Sequence, residues 1–242
     1  MADAEYTVLV CDDDEDIRAA LEIYLSQEGY AVVQARDGWE AVDAVRNRTI
    51  HLVLLDVMMP RLDGIKAAVT IRRTSNVPIV FLSAKTEETD RILGLNMGGD
   101  DYVTKPFNPV ELMARVRAAL RRYARLGGLA GSTDESDAEA DGVLRTGGLV
   151  LDDAHKRVTV DDREVALTAI EFGILRFLMT NLDRVYSSEQ IYEEVWGEPA
   201  FNVAKLVSVH VRHIREKIEI NPRQPRYLTV VYGFGYKVVR LT

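Results

Sequence analysis

The chain has 242 residues, a length that suits two domains with separate cores, and its 47% hydrophobic and 28% charged residues are typical of globular proteins. No apolar run approaches the ~18 residues that span a bilayer, and the N-terminus lacks the features of an export signal, so we expect a cytoplasmic protein. The net charge of -8 does not exclude DNA binding, because the acidic excess lies before residue 143, whereas the single cysteine does exclude an intrachain disulfide.

The segment from residue 6 to residue 125 alternates short β-branched runs with segments of helical periodicity. The predicted strands are 7–11, 31–35, 52–55, 79–82 and 102–103. The predicted helices are 15–28, 38–48, 63–73, 87–97 and 108–124. This alternation indicates a doubly wound α/β domain with a parallel sheet, which we place at residues 1–126.

Residues 127–142 are small, polar and acidic, which predicts a flexible linker. A second domain is expected at residues 143–242. Its predicted strands are 148–150, 158–160 and 163–166, with Asp161 and Asp162 as the turn between the last two. Predicted helices at 168–180, 188–195 and 203–219 and terminal strands at 228–231 and 236–241 complete an α+β winged helix.

Chemically active side chains follow the ends of four predicted strands. They are Asp12, Asp13 and Asp14 after the first strand, Asp56 after the third, Ser83 after the fourth and Lys105 after the fifth. The carboxyl ends of parallel strands meet at one edge of the sheet, where function concentrates. Carboxylates that are this close need a cation, and an oxygen-rich site suits Mg²⁺. Individually, an Asp after a strand is more often a turn former or helix cap, as we expect for Asp14 or Asp16.

Four motifs at this edge resemble the receiver domain of OmpR/PhoB-type response regulators over residues 6–125. They are VLVCDDD at 8–14, LLDVMMP at 54–60 followed by Asp63-Gly64, LSA at 82–84, and DDYVTKPF at 100–107. The resemblance implies a flavodoxin-like (βα)5 fold. It also implies that Asp56 accepts phosphate from a sensor histidine kinase and that Ser83 and Lys105 contact the phosphoryl oxygens. Tyr102 is the expected aromatic switch, and this role is compatible with a half-buried strand aromatic.

The resemblance implies a magnesium site as well. Asp13, Asp56 and the backbone carbonyl of Met58 would hold Mg²⁺, with Asp12 acting through water. The side chains of Met58 and Lys85 offer no carboxylate or amide to orient an attacking water molecule. We therefore predict that phosphorylated Asp56 is long-lived.

A charged surface follows between residues 91 and 122, and on its own it indicates only solvated charges with weak local pairs. OmpR/PhoB-type receivers dimerise through the corresponding face, and the resemblance implies cross-subunit ion pairs. The pairs would be Arg91 with Glu111, Asp101 with Arg115, and Asp100 with Arg122. A two-fold interface needs such self-complementarity, so we expect a homodimer on phosphorylation.

The predicted helix at 203–219 has two distinct faces. Its apolar face, expected to dock on the core, consists of Val207, Val211, Ile214 and Ile218. A separate face, suited to phosphates and base edges in a major groove, consists of Lys205, Ser208, Arg212 and Arg215. A basic solvent-exposed face is the ordinary explanation of such a pattern.

The second domain resembles the OmpR/PhoB-type winged helix from about residue 145. The supporting runs are LTAIEFGIL at 167–175, VWG at 195–197, VHVRHIREKI at 209–218 and GFGY at 233–236. In the terminal hairpin, Lys237 and Arg240 are expected along a phosphate backbone and Tyr232 near the minor groove. Tyr232 departs from the family pattern, which often has Arg there.

The two resemblances together imply a phosphorylation-dependent transcriptional regulator of a two-component system, and not an enzyme. We expect phosphorylation to favour a receiver dimer that brings two winged helices onto direct-repeat promoter half-sites. RNA polymerase is a further candidate partner. The C-terminal half is also weakly similar to regulators of glycopeptide resistance.

Two other functional classes remain open. A phosphatase of the haloacid-dehalogenase type also has an Asp-x-Asp after its first strand, here Asp12 and Asp14, but it leaves Asp56 and the second domain unexplained. A protein-interaction adaptor would be favoured if Arg212→Ala and Arg215→Ala left DNA binding unchanged.

Overall fold

The structure is a computed structural model that describes residues 6–83, 99–125, 142–200 and 203–241. The chain divides into two compact units, Met1–Ala124 and Arg125–Thr242. The predicted helix at 87–97, Lys85, Arg91 and the predicted linker up to residue 141 lie outside the described residues. Among the described residues, no helix has the length and apolar character that crossing a membrane requires.

The first unit contains a five-stranded parallel sheet in the order β2-β1-β3-β4-β5. Its strands are β1 (Thr7–Cys11), β2 (Ala31–Ala35), β3 (Leu52–Asp56), β4 (Ile79–Ser83) and β5 (Asp101–Thr104). The described helices are α1 (Glu15–Gln27), α2 (Gly38–Asn47), α3 (Gly64–Arg72) and α4 (Pro109–Arg125). This strand order is that of the flavodoxin-like fold, as predicted.

Aspartate caps begin the first three helices of this sheet domain. Asp14 accepts hydrogen bonds from the backbone N–H groups of Asp16 and Ile17, so that Asp14 rather than Asp16 caps α1. Asp37 caps α2 and Asp63 caps α3 in the same way. A carboxylate at this position satisfies orphan N–H donors and complements the positive end of the helix dipole.

Alternate residues of the central strands enter two cores, one on each face of the sheet. One core includes Leu9, Cys11, Val53, Leu55, Ile79 and Phe81. The other includes Val8, Val10, Leu52, Leu54, Val80 and Leu82. Because both faces are covered, these strands are continuously apolar and end abruptly in polar residues. That change of polarity places the polar residues at the edge of the sheet.

The second unit begins with an antiparallel sheet in the order β6-β7-β8-β9. Its strands are β6 (Val143–Thr146), β7 (Leu149–Asp152), β8 (Arg157–Val160) and β9 (Arg163–Glu164). The sequence did not predict β6, because its residues Val-Leu-Arg-Thr do not alternate apolar with polar, and it made β9 too long. The predicted turn is confirmed, since Asp161 and Asp162 have φ of 48° and 64°, as a type I′ hairpin turn requires.

Three helices and a terminal hairpin complete the winged helix. They are α5 (Ala169–Thr180), α6 (Ser188–Trp196), α7 (Ala204–Ile218), β10 (Leu228–Val231) and β11 (Gly235–Val238). The predicted apolar face of α7 is buried throughout. The backbone of Tyr236 pairs with that of Tyr186, and a Cβ at Gly235 would lie 2.0 Å from the Tyr186 carbonyl oxygen. Only glycine permits this approach of the hairpin to the segment before α6.

Candidate functional site

The acidic residues predicted at the sheet edge lie together. Asp12, Asp13 and Asp56 each offer a carboxylate oxygen, and these oxygens lie within 4.8 Å of one another. Asp12 and Asp56 are 0% and 4% exposed, whereas Asp13 is exposed. Clustered carboxylate oxygens are the ligands that hard divalent cations prefer, so the donor set fits Mg²⁺.

Lys105 closes this acidic cluster from the end of β5. Its Nζ donates to Asp12 Oδ2 at 2.5 Å and lies 2.8 Å from Asp56 Oδ1. Burial raises the pKa of Asp56, an effect that the hydrogen bond and charge of Lys105 oppose. Burial alone would lower the pKa of Lys105, but hydrogen bonds to Asp12 and Asp56 outweigh it, and the pKa is raised. The ammonium group is thus held in its charged form beside Asp56.

The other two residues predicted for this site lie on β4 and β5. Ser83 is 5% exposed, and its backbone carbonyl accepts a hydrogen bond from the Lys105 N–H at 2.7 Å. Tyr102 is half-buried and packs against the core cluster that contains Phe81. The structure therefore brings Ser83, at the end of β4, and Lys105, just after β5, to the same edge of the sheet. Tyr102 lies earlier on β5.

The loop after β3 fixes the orientation of Asp56. The Met58 N–H donates to Asp56 Oδ2 at 3.0 Å, and the Gly64 N–H donates to the Val57 carbonyl at 3.1 Å. A Cβ at Gly64 would lie 1.9 Å from the Asp56 carbonyl oxygen. The Met58 side chain is 58% exposed. Asp56 therefore sits in a closely packed, hydrogen-bonded loop with a solvent-exposed methionine beside it.

Arg18 supports the acidic loop and was not predicted from the sequence. Its side chain is buried, and Nη1 donates to the carbonyls of Asp12 at 2.8 Å and Asp13 at 3.1 Å. A basic residue one helical turn after the cap of α1 is the only sequence signal of this role. Arginine is rarely buried, so helical periodicity alone assigns such a residue to the surface.

The charged face predicted to form a dimer contains ion pairs within one chain. Arg115 Nη1 lies 3.0 Å from Asp101 Oδ2, and Nη2 lies 3.3 Å from Glu111 Oε1. Asp100 is 7% exposed and pairs with Arg72 at 2.5 Å. Arg122 is 5% exposed. The partners predicted across a subunit boundary thus already have neighbours in the same subunit, and Arg91 lies outside the described residues.

The four polar residues predicted to face DNA differ in their surroundings. Lys205 is exposed, and the half-buried Ser208 donates to the Lys205 carbonyl. The side chain of Arg212 is 63% exposed and pairs with Glu216 at 2.7 Å. Arg215 instead lies under the terminal hairpin, where its Nε donates to the Leu228 carbonyl at 2.8 Å. Helical spacing placed Arg215 on the open face, but its side chain is half-buried and bonded to the hairpin backbone.

The turn of the hairpin is exposed and aromatic. Tyr232 and Phe234 are 86% and 73% exposed, and Gly233 between them has φ of 79°. Lys237 is half-buried on β11, and Arg240 lies 3.8 Å from Asp183. The hairpin thus presents two aromatic rings at its turn.

Both units match known families. Residues 8–117 match the response regulator receiver domain, and residues 162–238 match the transcriptional regulatory protein C-terminal domain. The chain is 41% identical over 233 residues to the uncharacterized transcriptional regulatory protein YrkP of Bacillus subtilis, with 96% of this chain and 97% of the relative covered. The chain belongs to the OmpR/PhoB-type response regulators.

Other relatives of this response regulator span almost the same length. It is 37% identical over 232 residues to the regulatory protein VanR of Enterococcus faecium, with coverage of 96% and 97%. It is 41% identical over 241 residues to the alkaline phosphatase synthesis regulator SphR of Synechococcus elongatus, with coverage of 96% and 90%. A solved structure of a RitR mutant shares the fold, with a TM-score of 0.75 at 22% identity and coverage of 97% and 99%.

Membership in this family establishes the general function of the regulator. The receiver domain implies a sensor kinase as a partner, and the C-terminal domain implies DNA binding. The family acts in transcription and is not a family of enzymes. The phosphatase and adaptor alternatives are therefore wrong.

Proposed function

We propose that Asp56 is the residue of this regulator that accepts phosphate from a sensor histidine kinase. The observation that carries the proposal is the convergence of Asp12, Asp13, Ser83 and Lys105 around one buried carboxylate. An Oδ atom of Asp56 attacks phosphorus, forming a P–O bond while the P–N bond to the kinase histidine breaks.

The neighbours of Asp56 balance charge and fix geometry during this transfer. Lys105 places a positive charge where phosphoryl oxygens arrive, and the Ser83 hydroxyl donates to one of them. Asp13, Asp56 and the Met58 carbonyl would hold Mg²⁺, with Asp12 acting through water, and the ion would neutralise the carboxylates and the incoming phosphoryl group. Arg18 keeps the Asp12–Asp13 backbone in place. Tyr102 acts as the aromatic switch, whose orientation follows the position of Ser83.

Acetyl phosphate with Mg²⁺ tests this proposal. We expect a single phosphoryl group on Asp56, located by mass spectrometry after borohydride reduction, and its loss in Asp56→Asn. Asp16→Asn is the matched control, because Asp16 is an exposed aspartate on α1. A stable label on another residue of the native protein would contradict the assignment.

We further propose that phosphorylation favours a receiver homodimer. The exposed Glu111 and the half-buried Arg115 support this, together with Arg91 from the sequence, whereas Asp100, Asp101 and Arg122 are buried within the subunit. Because Arg115 pairs with Asp101 and Glu111 within the subunit, dimerisation requires these pairs to be shared or exchanged between subunits. A dimer brings two DNA-binding domains onto adjacent direct-repeat half-sites and so raises their effective concentration.

The DNA-contacting surface that we propose lies on α7 and the hairpin. Lys205, Ser208 and Arg212 face the major groove, and Tyr232 and Lys237 follow the adjacent backbone and minor groove. The boundaries of the receiver at 1–126, the linker at 127–142 and the DNA-binding domain at 143–242 are part of this proposal. Contact with RNA polymerase and a cytoplasmic location stay predictions.

A further inference from the structure

Two side chains from the end of α7 hold the backbone of one hairpin residue, Leu228. Arg215 Nε donates to the Leu228 carbonyl at 2.8 Å. The carboxylate of Glu219, one turn later, accepts a hydrogen bond from the Leu228 N–H at 2.9 Å. Both backbone groups of Leu228 are therefore bound to side chains from this end of the helix.

Glu219 extends this attachment along the chain that enters the hairpin. Its carboxylate is 8% exposed and also accepts from the N–H groups of Arg226 at 2.8 Å and Tyr227 at 2.9 Å. A buried carboxylate with three backbone donors fixes the segment before β10 relative to α7. Arg215 adds the contact to the first residue of the strand itself.

One nitrogen of the Arg215 guanidinium group is turned inward, and the residue as a whole is half-buried. Nη2 is buried and has no hydrogen-bond partner among the described residues. Arg212, one turn earlier, has a side chain that is 63% exposed. A phosphate contact needs N–H donors that are open to solvent, so the exposed Arg212 suits that role better than the half-buried Arg215.

A two-stranded hairpin is only marginally stable by itself, so its orientation depends on its attachments. The Tyr186–Tyr236 pairing attaches one strand of this hairpin, and Leu228 attaches the other. Rigid placement of a DNA-contacting element reduces the ordering cost that binding must offset.

We propose that Arg215 is a positioning residue, which sets the hairpin relative to α7 through Leu228 and does not itself contact DNA. This rests on the proposed DNA surface and replaces the expectation that Arg215 lies on it. The hydrogen bond from Nε sets the position of the hairpin, and the charge at the tip of the side chain does not.

Two substitutions separate the hydrogen bond from the charge. In Arg215→Gln, the side-chain Nε2 occupies the same place along the chain as arginine Nε, so the bond to Leu228 is kept while the charge is lost. In Arg215→Met, a methyl group occupies that place, so both are lost. Arg212→Gln is the matched control for loss of a phosphate contact, because it removes an exposed charge from the same helix.

The measurement is the affinity of the phosphorylated full-length protein for a duplex that the wild-type protein selects from a random library. Affinity is determined at several salt concentrations, because each lost phosphate contact lowers the slope of log K against log salt by about 0.9. Failure of the wild-type protein to select any duplex would count against the proposed function itself, independently of Arg215.

We expect Arg215→Gln to bind with wild-type affinity and slope, and Arg215→Met to bind about 10-fold more weakly, or ~1.4 kcal/mol, with an unchanged slope. Faster hydrogen exchange of the Leu228 amide in Arg215→Met should accompany the loss. A slope lowered by about 0.9 in Arg215→Gln would overturn the proposal in favour of a phosphate contact, even if the methionine variant fails to fold. Wild-type affinity in a folded Arg215→Met would overturn it as well.

Discussion

The Nζ atom of Lys105 lies 2.8 Å from Oδ1 of Asp56, although Asp56 ends β3 and Lys105 follows β5, two strands that β4 separates. The register of the parallel strands produces this contact, because both residues lie at carboxyl ends. The amine opposes the rise in the pKa of Asp56 that burial causes. A change at Lys105 therefore alters the reactivity of Asp56 without touching it covalently.

Removal of the Lys105 charge should slow phosphorylation. We expect Lys105→Met to react with acetyl phosphate about 100-fold more slowly, because a charge aimed at the developing phosphoryl negative charge is lost. The rate is followed by intact-protein mass spectrometry. Lys66→Met is the control, since the Lys66 side chain is 73% exposed and pairs with Asp63. An unchanged rate in Lys105→Met would refute the role of this amine.

The residue beside the acceptor should control the lifetime of the phosphorylated state. Met58 is 58% exposed and offers no group that orients water. We expect Met58→Asn to shorten the lifetime at least about 10-fold, since an amide positions the attacking water molecule. Ile23→Asn is matched to it, because Ile23 is 57% exposed on α1. Loss of phosphate within seconds from the wild-type protein would contradict the predicted stability.

Substitution of Gly64 should destabilise the receiver domain. A Cβ there would lie 1.9 Å from the Asp56 carbonyl oxygen, so backbone must move. We expect Gly64→Ala to cost about 1–3 kcal/mol of unfolding free energy and to slow phosphorylation, because the loop holds Asp56. Calorimetry measures the change in the free energy of unfolding. At Gly142 a Cβ would have only one neighbour, at 3.7 Å, so Gly142→Ala should be nearly neutral.

Arg115 should be required for the proposed dimer. We expect Arg115→Ala to leave the phosphorylated protein monomeric in light scattering, because the proposed pair between Arg115 and Asp101 across the subunit boundary is lost. Arg117→Ala, which removes an exposed pair with Glu28, should dimerise normally. A phosphorylated Arg115→Ala dimer with wild-type affinity would exclude this face as the interface.

The pKa of Asp63, the N-terminal cap of α3, should lie below the usual value of an aspartate carboxyl. Burial alone would raise the pKa of Asp63, but hydrogen bonds from the Lys66 side chain and backbone N–H lower it from 3.8. A lowered carboxyl pKa contributes stability above the unfolded value, and that contribution is lost as pH falls through the folded value. An NMR titration of the Asp63 carboxyl measures this pKa. Lys66→Met should move the Asp63 pKa upwards, and no movement would rule out Lys66 as a cause.

Much of the acidic site could be predicted from the sequence because strand topology dictates it. Asp12 follows the apolar run of β1, Asp56 ends that of β3, and Lys105 follows β5, and a parallel sheet must bring such positions to one edge. The strands of the receiver and the described helices were predicted to within a few residues for the same reason. The periodicity of a buried strand or amphipathic helix is a property of local sequence.

Roles that depend on a distant element could not be predicted. Arg215 follows Arg212 by three residues and shares its helical face, but only the folded structure shows that the Arg215 side chain bonds to the hairpin. Arg18 is buried because it satisfies two backbone carbonyls, and no periodicity distinguishes it from a surface arginine. Such contacts join segments far apart in the chain or use backbone atoms, which carry no sequence signal.

The buried thiol of Cys11 provides a probe for unfolding of one domain within the intact protein. Cys11 is the single cysteine of the chain, is 0% exposed, and lies beside the Asp37 carbonyl and the Met59 sulfur. Burial raises the pKa of its thiol, so alkylating reagents react only when the receiver opens. Pulsed alkylation in urea therefore reports the opening of the receiver alone, since the DNA-binding half contributes no thiol. Addition of a phosphoryl donor during the pulse would then measure how strongly the modification stabilises that domain.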